Sequence, residues 1–235
     1  GFIGTHFIEY LEKKLISYTI LDVKKPRNKK SNYVFSDVRK KISFEPSLEN
    51  ENIIINLAAI HKTPGHNEKE YFETNILGAE NICDFAIKYR ISKIVFTSSI
   101  AVYGTYEEKK SENTVPMPDI PYGISKLIAE AIHEKWLLGN KKYRELVVLR
   151  PGIVFGRYEE GNFTRLVNSL QRNYFAYVGR KDVKKACIYV KDLIQVVFDL
   201  SKQNFLENHI YNVSYEPSKT IQDIVFEVKK TGNIS

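Results

Sequence analysis

The chain is poor in cysteine, methionine and tryptophan: its 235 residues include two cysteines, one methionine and one tryptophan. Cys83 and Cys187 lie far apart and lack metal-type spacing, so we expect reduced, buried thiols and neither a disulfide nor a metal site. No run of eighteen apolar residues is present, which argues against a membrane-spanning helix. The first residues also lack the pattern of a secretory signal peptide, and we expect a cytoplasmic protein.

The chain has more positive than negative charge, with a formal net charge of +7. Because lysine is spread along the whole sequence, a solvated surface explains this excess as well as a basic cleft for an anionic ligand does. No recognition helix, zinc-finger spacing or RNP-type aromatic motif is present, so we expect no nucleic-acid partner. A content of 43% hydrophobic and 27% charged residues fits a globular protein with one large domain or slightly more.

Apolar runs and amphipathic segments alternate along the first 150 residues. The runs predict strands at 17–22, 52–59, 93–98 and 145–150, and the amphipathic segments predict helices at 5–14, 70–89 and 125–138. Continuous apolar runs of this length are typical of parallel strands buried on both faces. The alternation therefore predicts an α/β protein with a doubly wound parallel sheet.

The pattern changes after residue 150. Shorter strands are predicted at 174–178 and 186–190, and helices at 161–172 and 192–200. We therefore divide the chain into a sheet domain, 1–150, and a partial smaller lobe, 151–235, with segments that return to the first domain. The chain starts on a glycine with no preceding strand and stops directly after a helical run. We expect the first strand of the sheet and part of the smaller lobe to be missing.

The first residues have the composition of a phosphate-binding loop. Gly1 and Gly4 precede an amphipathic helix, whose N-terminus offers free N–H groups to a pyrophosphate. Asp22 ends the next strand, where a carboxylate accepts from ribose hydroxyls and favours NAD over NADP; a turn role is the alternative. The basic residues that follow weaken that preference or are simply solvated: Lys24, Lys25 and Arg27. Asp37 follows another short strand, where it could contact the adenine amino group or serve as the N-cap of a helix.

A tyrosine and a lysine four residues apart begin the helix predicted after residue 120. Tyr122 and Lys126 share one helical face, and we expect the ammonium to lower the pKa of the tyrosine from its usual value of about 10. Such a tyrosine takes a proton from a hydroxyl while hydride leaves to a nicotinamide; an exposed surface pair is the alternative. Ser98 and Ser99 follow a predicted parallel strand, whose carboxyl end is where ligands bind, although serines there also serve turns.

Several motifs follow one another in order over about four-fifths of the chain. They are the loop 1–4, Asp22 and the segments 56–59, 75–81, 96–104, 122–126, 149–156 and 189–192. Together they resemble the NAD-dependent epimerase/dehydratase family, the extended short-chain dehydrogenases/reductases that act on nucleotide sugars. The resemblance implies a Rossmann fold, tightly held NAD, a UDP-, dTDP- or GDP-sugar substrate, and a homodimer formed through helices at 70–89 and 122–138.

The resemblance also implies roles for single residues. Ser99 takes the position of the catalytic serine, Tyr122 that of the general base and Lys126 that of its partner. The cofactor would contact Gly1, Phe2, Ile3, Gly4, Asp22, Asp37, Val38, Leu57, Ala58, Ala59, Asn75, Tyr122 and Lys126. Besides Ser99, the substrate would contact Asn162, Arg180 and Lys185. A helix cap is the alternative role for Asn162, and surface solvation is the alternative for the two basic residues.

The residues after Ser99 separate the reactions of the family. Dehydratases resemble Thr-Asp-Glu at the positions held here by Ser99, Ile100 and Ala101, and neither Ile100 nor Ala101 can transfer a proton. We therefore expect C4 epimerisation of a UDP-sugar through a 4-keto intermediate and, by analogy, a place in surface polysaccharide synthesis. A 4-ketoreductase or oxidoreductase using NAD(P)H, and a non-catalytic nucleotide-binding interaction protein, are the alternatives.

Overall fold

The computed structural model describes residues 1–26, 32–47, 51–61, 65–105, 108–204 and 209–232. The α-helices are α1 Phe2–Lys13, α2 Glu68–Tyr71, α3 Gly78–Lys88, α4 Pro121–Leu138, α5 Asn162–Gln171, α6 Val190–Lys202 and α7 Ile221–Gly232. A π-helical turn, Phe72–Leu77, joins α2 to α3, and a 3₁₀ turn, Ile100–Tyr103, precedes α4. The strands are β1 Ile20–Asp22, β2 Tyr33–Phe35, β3 Ile53–Asn56, β4 Lys93–Thr97, β5 Glu145–Pro151, β6 Ile153–Phe155, β7 Lys184–Lys185, β8 Cys187–Tyr189, β9 Ile210–Val213 and β10 Lys219–Thr220.

The central sheet is parallel and has the strand order β3-β4-β5-β9. A separate parallel pair is formed by β1 and β2, and within the described ranges no hydrogen-bonded ladder joins β1 to β3. Strands β4 and β5 are buried almost throughout, but β1 and most of β3 are half-buried. The parallel α/β architecture is confirmed. Both faces of β3 are packed, Ile54 against one core cluster and Ile55 against the other. Strands β1 and β3 are only half-buried because each has a neighbouring strand along one edge only.

Helices cover both faces of the sheet, and the alternation of side chains along β4 decides which core each residue joins. Phe96 points to the face covered by α3 and α4, where it packs in one cluster with Trp136. Val95 points to the opposite face and packs in a second cluster with Leu149 and with Leu193 of α6. Both clusters are made of aliphatic and aromatic side chains that are nearly removed from water. This layered packing holds the carboxyl ends of β3, β4 and β5 at one edge.

The second half of the chain contributes to two regions. Helix α6 packs on α1, and β9 pairs with β5 in the central sheet. The remaining elements form a parallel pair, β6 with β8, and a short antiparallel pair, β7 with β10. The predicted strand at 186–190 and the predicted helix at 192–200 correspond to β8 and α6.

The strand predicted at residues 174–178 is wrong. Asn173 has a positive φ of 55°, and the Tyr174 amide donates to the Ser169 carbonyl at 3.2 Å. The chain therefore folds back on the end of α5. The apolar residues that suggested a strand are largely exposed, with Val178 97% accessible. A short apolar run does not make a strand where no neighbouring edge is available.

The two cysteines are free thiols in the structure. Burial raises the pKa of Cys83 to about 12 and that of the half-buried Cys187 to about 11, so both stay protonated near neutral pH. No helix in the described segments is both long and apolar enough to cross a bilayer. Within the same segments, no cluster of three or more His, Cys, Asp or Glu side chains is arranged to hold a metal ion.

Gly152 allows the chain to pass close to β8, and this contact generates a stability prediction. A Cβ atom there would lie 2.5 Å from the Ala186 carbonyl oxygen. We expect Gly152→Ala to lower the free energy of unfolding by about 1–3 kcal/mol, because backbone must move to relieve the overlap. Urea unfolding followed by circular dichroism measures this change.

The matched control is Gly4→Ala. A Cβ on Gly4 would meet only Leu57 Cδ1, at 3.9 Å, and alanine is a better helix former than glycine. Its midpoint in urea, measured for the variant and the unmodified protein after removal of bound nucleotide, should not fall. Equal midpoints for Gly152→Ala and the unmodified protein would contradict the argument from close approach.

Candidate active site

The N-terminus of α1 meets the end of β1. Helix α1 begins at Phe2 with Gly1 as its N-cap residue, and among the described residues no side chain caps it. The Gly1 backbone nitrogen lies 3.5 Å from Asp22 Oδ2, while Asp22 Oδ1 accepts a hydrogen bond from the Lys24 amide at 2.9 Å. A Cβ on Gly1 would meet no atom within 4 Å. Asp22 thus lies in a turn and also beside the glycine loop, which are the two places expected for it. Arg27 lies outside the described residues.

This arrangement fits an adenine dinucleotide in two respects. A helix N-terminus without a capping side chain leaves N–H groups and the positive end of the helix dipole for a diphosphate. The Asp22 carboxylate stands beside it, as ribose recognition requires. The side chains of Phe2 and Ile3, which the resemblance also implies, pack partly into the core cluster that contains Leu57.

The loop after β3 is fastened to the neighbouring helices by two asparagines. Asn56 Oδ1 accepts from the Ala58 amide at 3.1 Å. Asn75 accepts from the Ile60 amide at 3.0 Å and donates to Ser125 Oγ on α4 at 2.8 Å. Asn75 lies in the π-helical turn, a local irregularity that is frequent at functional sites. The loop that carries Leu57, Ala58 and Ala59 is thereby tied to α4.

Asp37 and Val38 occupy a turn after β2. Asp37 is engaged by Arg39, with a shortest contact of 2.6 Å, and this hydrogen-bonded guanidinium holds the pKa of Asp37 below its usual value. The Val38 carbonyl accepts from Asn81 at 2.7 Å, and its side chain packs against Gly78. The alternative role of Asp37 as a helix N-cap is wrong, because the residues that follow form a turn rather than a helix.

Ser99 and Tyr122 are brought together at the carboxyl end of β4. Ser99 Oγ accepts from the Ala101 amide at 3.1 Å and so caps the 3₁₀ turn. Tyr122 is the second residue of α4, and the Ser99 hydroxyl is near enough to its side chain to favour the ionised phenol. Gly123 makes this approach possible, because a Cβ there would lie 2.4 Å from the Ala101 carbonyl oxygen. The serine and the tyrosine therefore face one point, as a shared substrate oxygen requires.

Lys126 is buried one helical turn below Tyr122. Its Nζ donates to the Thr97 carbonyl at 2.6 Å and lies 4.5 Å from the centre of the Phe96 ring. Burial lowers the pKa of Lys126 to about 7, and the negative charge of Glu130 opposes that shift. The lysine is thus not an exposed surface residue, which was the alternative interpretation of the Tyr-Lys pair.

The expected lowering of the Tyr122 pKa by Lys126 is not what the structure gives. Burial raises the pKa of Tyr122, and the hydrogen bond with Ser99 only partly opposes this effect. The physical reason is that the Lys126 ammonium is directed to the Thr97 carbonyl, while removal from water disfavours the phenolate.

The three residues expected near the substrate lie in separate places. Asn162 is the first residue of α5, and its Oδ1 accepts from Arg165 at 2.7 Å; Gly161 holds the N-cap position, so the helix-cap alternative is wrong. Arg180 forms an exposed ion pair with Asp182 at 2.8 Å, and Lys185 lies on β7. The described contacts connect none of the three with Ser99, Tyr122 or Lys126.

Sequence reasoning missed a buried polar layer beneath the site. Glu130, His133 and Arg150 are each at most 6% exposed. His133 contacts the Ala129 carbonyl through Nδ1 at 2.7 Å and Asn56 through Nε2 at 3.3 Å, and burial lowers its pKa to about 4. One signal was available in the sequence: Glu130 stands one turn after Lys126 on a helix face that otherwise packs into the core.

Comparison with known proteins identifies the family of the chain. The profile of the NAD dependent epimerase/dehydratase family matches residues 1–214, so the chain belongs to this NAD-dependent family. The N-acetyl-alpha-D-glucosaminyl-diphospho-ditrans,octacis-undecaprenol 4-epimerase of Escherichia coli O157:H7 is 27% identical over 99% of this chain and 70% of its own length. The UDP-glucose 4-epimerase of Vibrio cholerae is 26% identical over 91% of this chain and 68% of its own length.

Solved structures show the same fold. The UDP-N-acetylglucosamine 4-epimerase from Bacillus cereus superposes with a TM-score of 0.82, covering all of this chain and 80% of its own, at 22% identity. The UDP-glucose 4-epimerase of Thermus thermophilus, solved in complex with NAD, gives a TM-score of 0.79 at 23% identity, covering all of this chain and 81% of its own.

The buried lysine generates a pH prediction. In the unfolded chain Lys126 keeps its proton up to about pH 10, whereas in the folded protein it loses the proton near pH 7. Between these values the unfolded state binds more protons, so stability rises with pH. We expect the free energy of unfolding of the unmodified protein, relative to Lys126→Met, to rise between pH 7 and pH 8.5, by at most about 1.4 kcal/mol per pH unit.

Urea titrations of both proteins at several pH values measure this difference. Taking the difference between the two proteins cancels the contributions of the cysteines and tyrosines, which both contain. A difference that is constant from pH 7 to pH 8.5 would contradict a lowered pKa of Lys126.

Proposed function

We propose that the protein interconverts the C4 epimers of a UDP-sugar through a 4-keto intermediate. The observation that carries the proposal is the meeting of Ser99, Tyr122 and Lys126 at the carboxyl end of β4, beside Ile100 and Ala101, which cannot exchange protons. The 4-epimerases among the relatives support the same reaction. NAD, when bound, supplies the acceptor and donor of the hydride.

The protein's own residues handle the proton in this proposal. Tyr122 Oη takes the proton of the C4 hydroxyl and returns it to the 4-keto oxygen. Ser99 Oγ donates a hydrogen bond to the same sugar oxygen and holds it beside the tyrosine. Lys126 donates to the Thr97 carbonyl and so holds the end of β4 that carries Ser99, and we assign it to the nicotinamide ribose as well.

The residues proposed to hold NAD surround the N-terminus of α1. The glycine loop and helix dipole serve the diphosphate and Asp22 serves the adenosine ribose, while the segment tied to Asn75 lines the nicotinamide side. The full proposed set is Gly1, Phe2, Ile3, Gly4, Asp22, Asp37, Val38, Leu57, Ala58, Ala59, Asn75, Tyr122 and Lys126. For Asp37 the proposal requires that its bond to Arg39 leaves one carboxylate lone pair for the adenine.

We place the sugar nucleotide against the second half of the chain. Asn162, Arg180 and Lys185 remain the proposed polar contacts, with the two basic side chains serving the diphosphate as point charges or donors. The division into an NAD-binding domain, 1–150, and a substrate lobe, 151–235, belongs to the same proposal. Its support is that α5, α7, β7 and β10 stand apart from the central sheet, whereas α6 and β9 return to it.

A polyprenyl diphosphate-linked sugar is the second candidate substrate. The relative from Escherichia coli O157:H7 is named for an undecaprenol-linked substrate and aligns over 99% of this chain. The UDP-sugar and the polyprenyl diphosphate-linked sugar can carry the same sugar on their diphosphate, so the reaction at C4 is the same for both. The two differ in the group beyond the diphosphate, so a comparison of the two carriers decides between them.

We further propose a cytoplasmic homodimer that serves surface polysaccharide synthesis. Helices α3 and α4 pack against each other, and large apolar side chains remain exposed on or beside them: Leu77, Ile87, Ile128 and Leu138. A second copy of this helix pair would cover them.

The reaction itself is tested with Tyr122→Phe. Proton NMR follows UDP-GlcNAc, UDP-glucose, their C4 epimers and N-acetylglucosaminyl diphosphoundecaprenol, each without added cofactor. We expect interconversion at C4 to fall at least about 100-fold in the variant, because the proton-transfer group is lost. Tyr143→Phe, which alters an exposed tyrosine, should keep full activity.

Each result of this assay has a distinct meaning. No interconversion of any sugar by the unmodified protein, with turnover of a 4-keto sugar once NADPH is added, would replace the epimerase by a ketoreductase. Equal rates for Tyr122→Phe and the unmodified protein would remove Tyr122 from the reaction.

The cofactor preference is tested with Asp22→Asn. We expect NAD affinity to fall about 10-fold and discrimination against NADP to shrink, because a charged hydrogen bond and a charge repulsion are removed together. Calorimetric titration with NAD and NADP measures both changes. Asp199→Asn, on the exposed side of α6, is the matched control and should bind as the unmodified protein does. Unchanged preference in Asp22→Asn would contradict the assigned role.

A further inference from the structure

Glu130 and Arg150 form an ion pair inside the protein, directly behind the candidate site. Their side chains are 7% and 4% exposed, and the shortest contact, from Arg150 Nη2 to Glu130 Oε2, is 2.6 Å. A second bond runs from Arg150 Nε to Glu130 Oε1 at 3.0 Å. Burying two charges is expensive, and such a pair is weak evidence for stability by itself. The position of this ion pair behind the candidate site therefore suggests a role other than stabilising the fold.

The Glu130 carboxylate also holds the segment that presents Ser99. Its Oε1 accepts a hydrogen bond from Ser98 Oγ, and the Ser98 amide donates to the Leu149 carbonyl at 2.6 Å. The preceding carbonyl, that of Thr97, accepts from Lys126 at 2.6 Å. Two consecutive residues before Ser99 are thus held by one face of α4, the helix that begins with Tyr122.

Arg150 extends the same network on its other side. Its Nη1 donates to Tyr103 Oη at 2.7 Å, and Tyr103 Oη donates to Asn212 at 2.8 Å. Tyr103 ends the 3₁₀ turn that Ser99 caps. The residue before the cap of that turn and the last residue of the turn are therefore tied to the ion pair: Ser98 through Glu130, and Tyr103 through Arg150.

We propose that Glu130 is a positioning residue for the Ser99, Tyr122 and Lys126 trio. Its carboxylate fixes Ser98 and thereby Ser99, and it places a negative charge one helical turn from the Lys126 ammonium. The part that concerns turnover rests on the proposed epimerase function. The part that concerns the protonation of Lys126 does not depend on which substrate the protein takes.

Electrostatics supports this assignment. The titratable and charged groups on the elements around Lys126 include Tyr122, Glu130, His133, Arg150, Tyr103 and Tyr71, while Lys93 and Glu145 pair with each other at the opposite end of β4 and β5. Burial keeps His133 neutral near pH 7 and favours the neutral form of Tyr122. Arg150 is a cation already paired with Glu130. Glu130 is the group among these whose charge raises the pKa of Lys126 against the effect of burial.

The first experiment titrates Lys126 directly, with no substrate. Protein labelled with ¹³C at lysine Cε gives a resonance for each lysine, and Lys126→Met identifies that of Lys126. We expect Glu130→Gln to lower the pKa of Lys126 by about one unit or more, since an opposing charge at close range is removed. Glu130→Asp keeps the charge and should restore the pKa. Glu134→Gln, one turn further along α4 and paired with His209, is the matched control and should leave it unchanged.

The second experiment follows turnover against pH. Loss of the Lys126 proton weakens the bond that holds the Thr97 carbonyl and the strand end carrying Ser99, so the alkaline limb of the kcat profile should move to lower pH in Glu130→Gln by the same amount. It should stay in place in Glu134→Gln and Glu130→Asp. A role in folding alone would lower the amount of active protein without moving this limb.

A third variant, Ser98→Ala, keeps both buried charges and removes only the serine contact. We expect kcat to fall about 10-fold, as a hydrogen bond to a charged group is lost, with KM and the Lys126 titration unchanged. This variant also decides the positioning role if Glu130→Gln does not fold. Wild-type kcat in Ser98→Ala would overturn that role, and a wild-type Lys126 pKa in folded Glu130→Gln would overturn the electrostatic one. Absence of all turnover in the unmodified protein would refute the proposed function and leave the titration as the test of Glu130.

Discussion

The close approach of the start of α4 to the end of β4 is the constraint on which the site depends. Gly123 permits it, because any side chain there would overlap the Ala101 carbonyl. Lys126 then reaches the Thr97 carbonyl from within the core. One helix face and one strand end thus bring a hydroxyl, a phenol and an amine together.

That geometry requires polar and charged groups to lie where water is excluded. The lysine loses affinity for its proton, the tyrosine becomes harder to ionise, and His133 is held neutral. Glu130 is paired with Arg150, and its carboxylate charge still favours the protonated form of the lysine. The reactivity of the trio is therefore decided by the balance between burial and a few opposed charges rather than by the tyrosine and lysine alone.

Much of this fold was predictable because apolar periodicity has few physical causes. The buried runs that became β4 and β5, and the amphipathic segments that became α3, α4 and α6, are found close to their predicted positions. The strand predicted at 174–178 is absent because a strand needs a neighbouring strand to pair with, and a local sequence pattern does not show whether one is available. The π-helical turn around Asn75 was not predictable either, since it depends on contacts with Ile60 and Ser125.

The sequence by itself determined the family and the parallel α/β class, and it marked Ser99, Tyr122 and Lys126 as the candidate catalytic residues, because these follow from motifs that can be recognised one by one along the chain. Only the tertiary structure decided the electrostatic state of that trio. The pKa of Tyr122 moves opposite to the sequence-based expectation, and the link from Glu130 through Ser98 joins residues 32 positions apart. Burial and long-range pairing depend on the packed neighbours of a group, which neither composition nor spacing specifies.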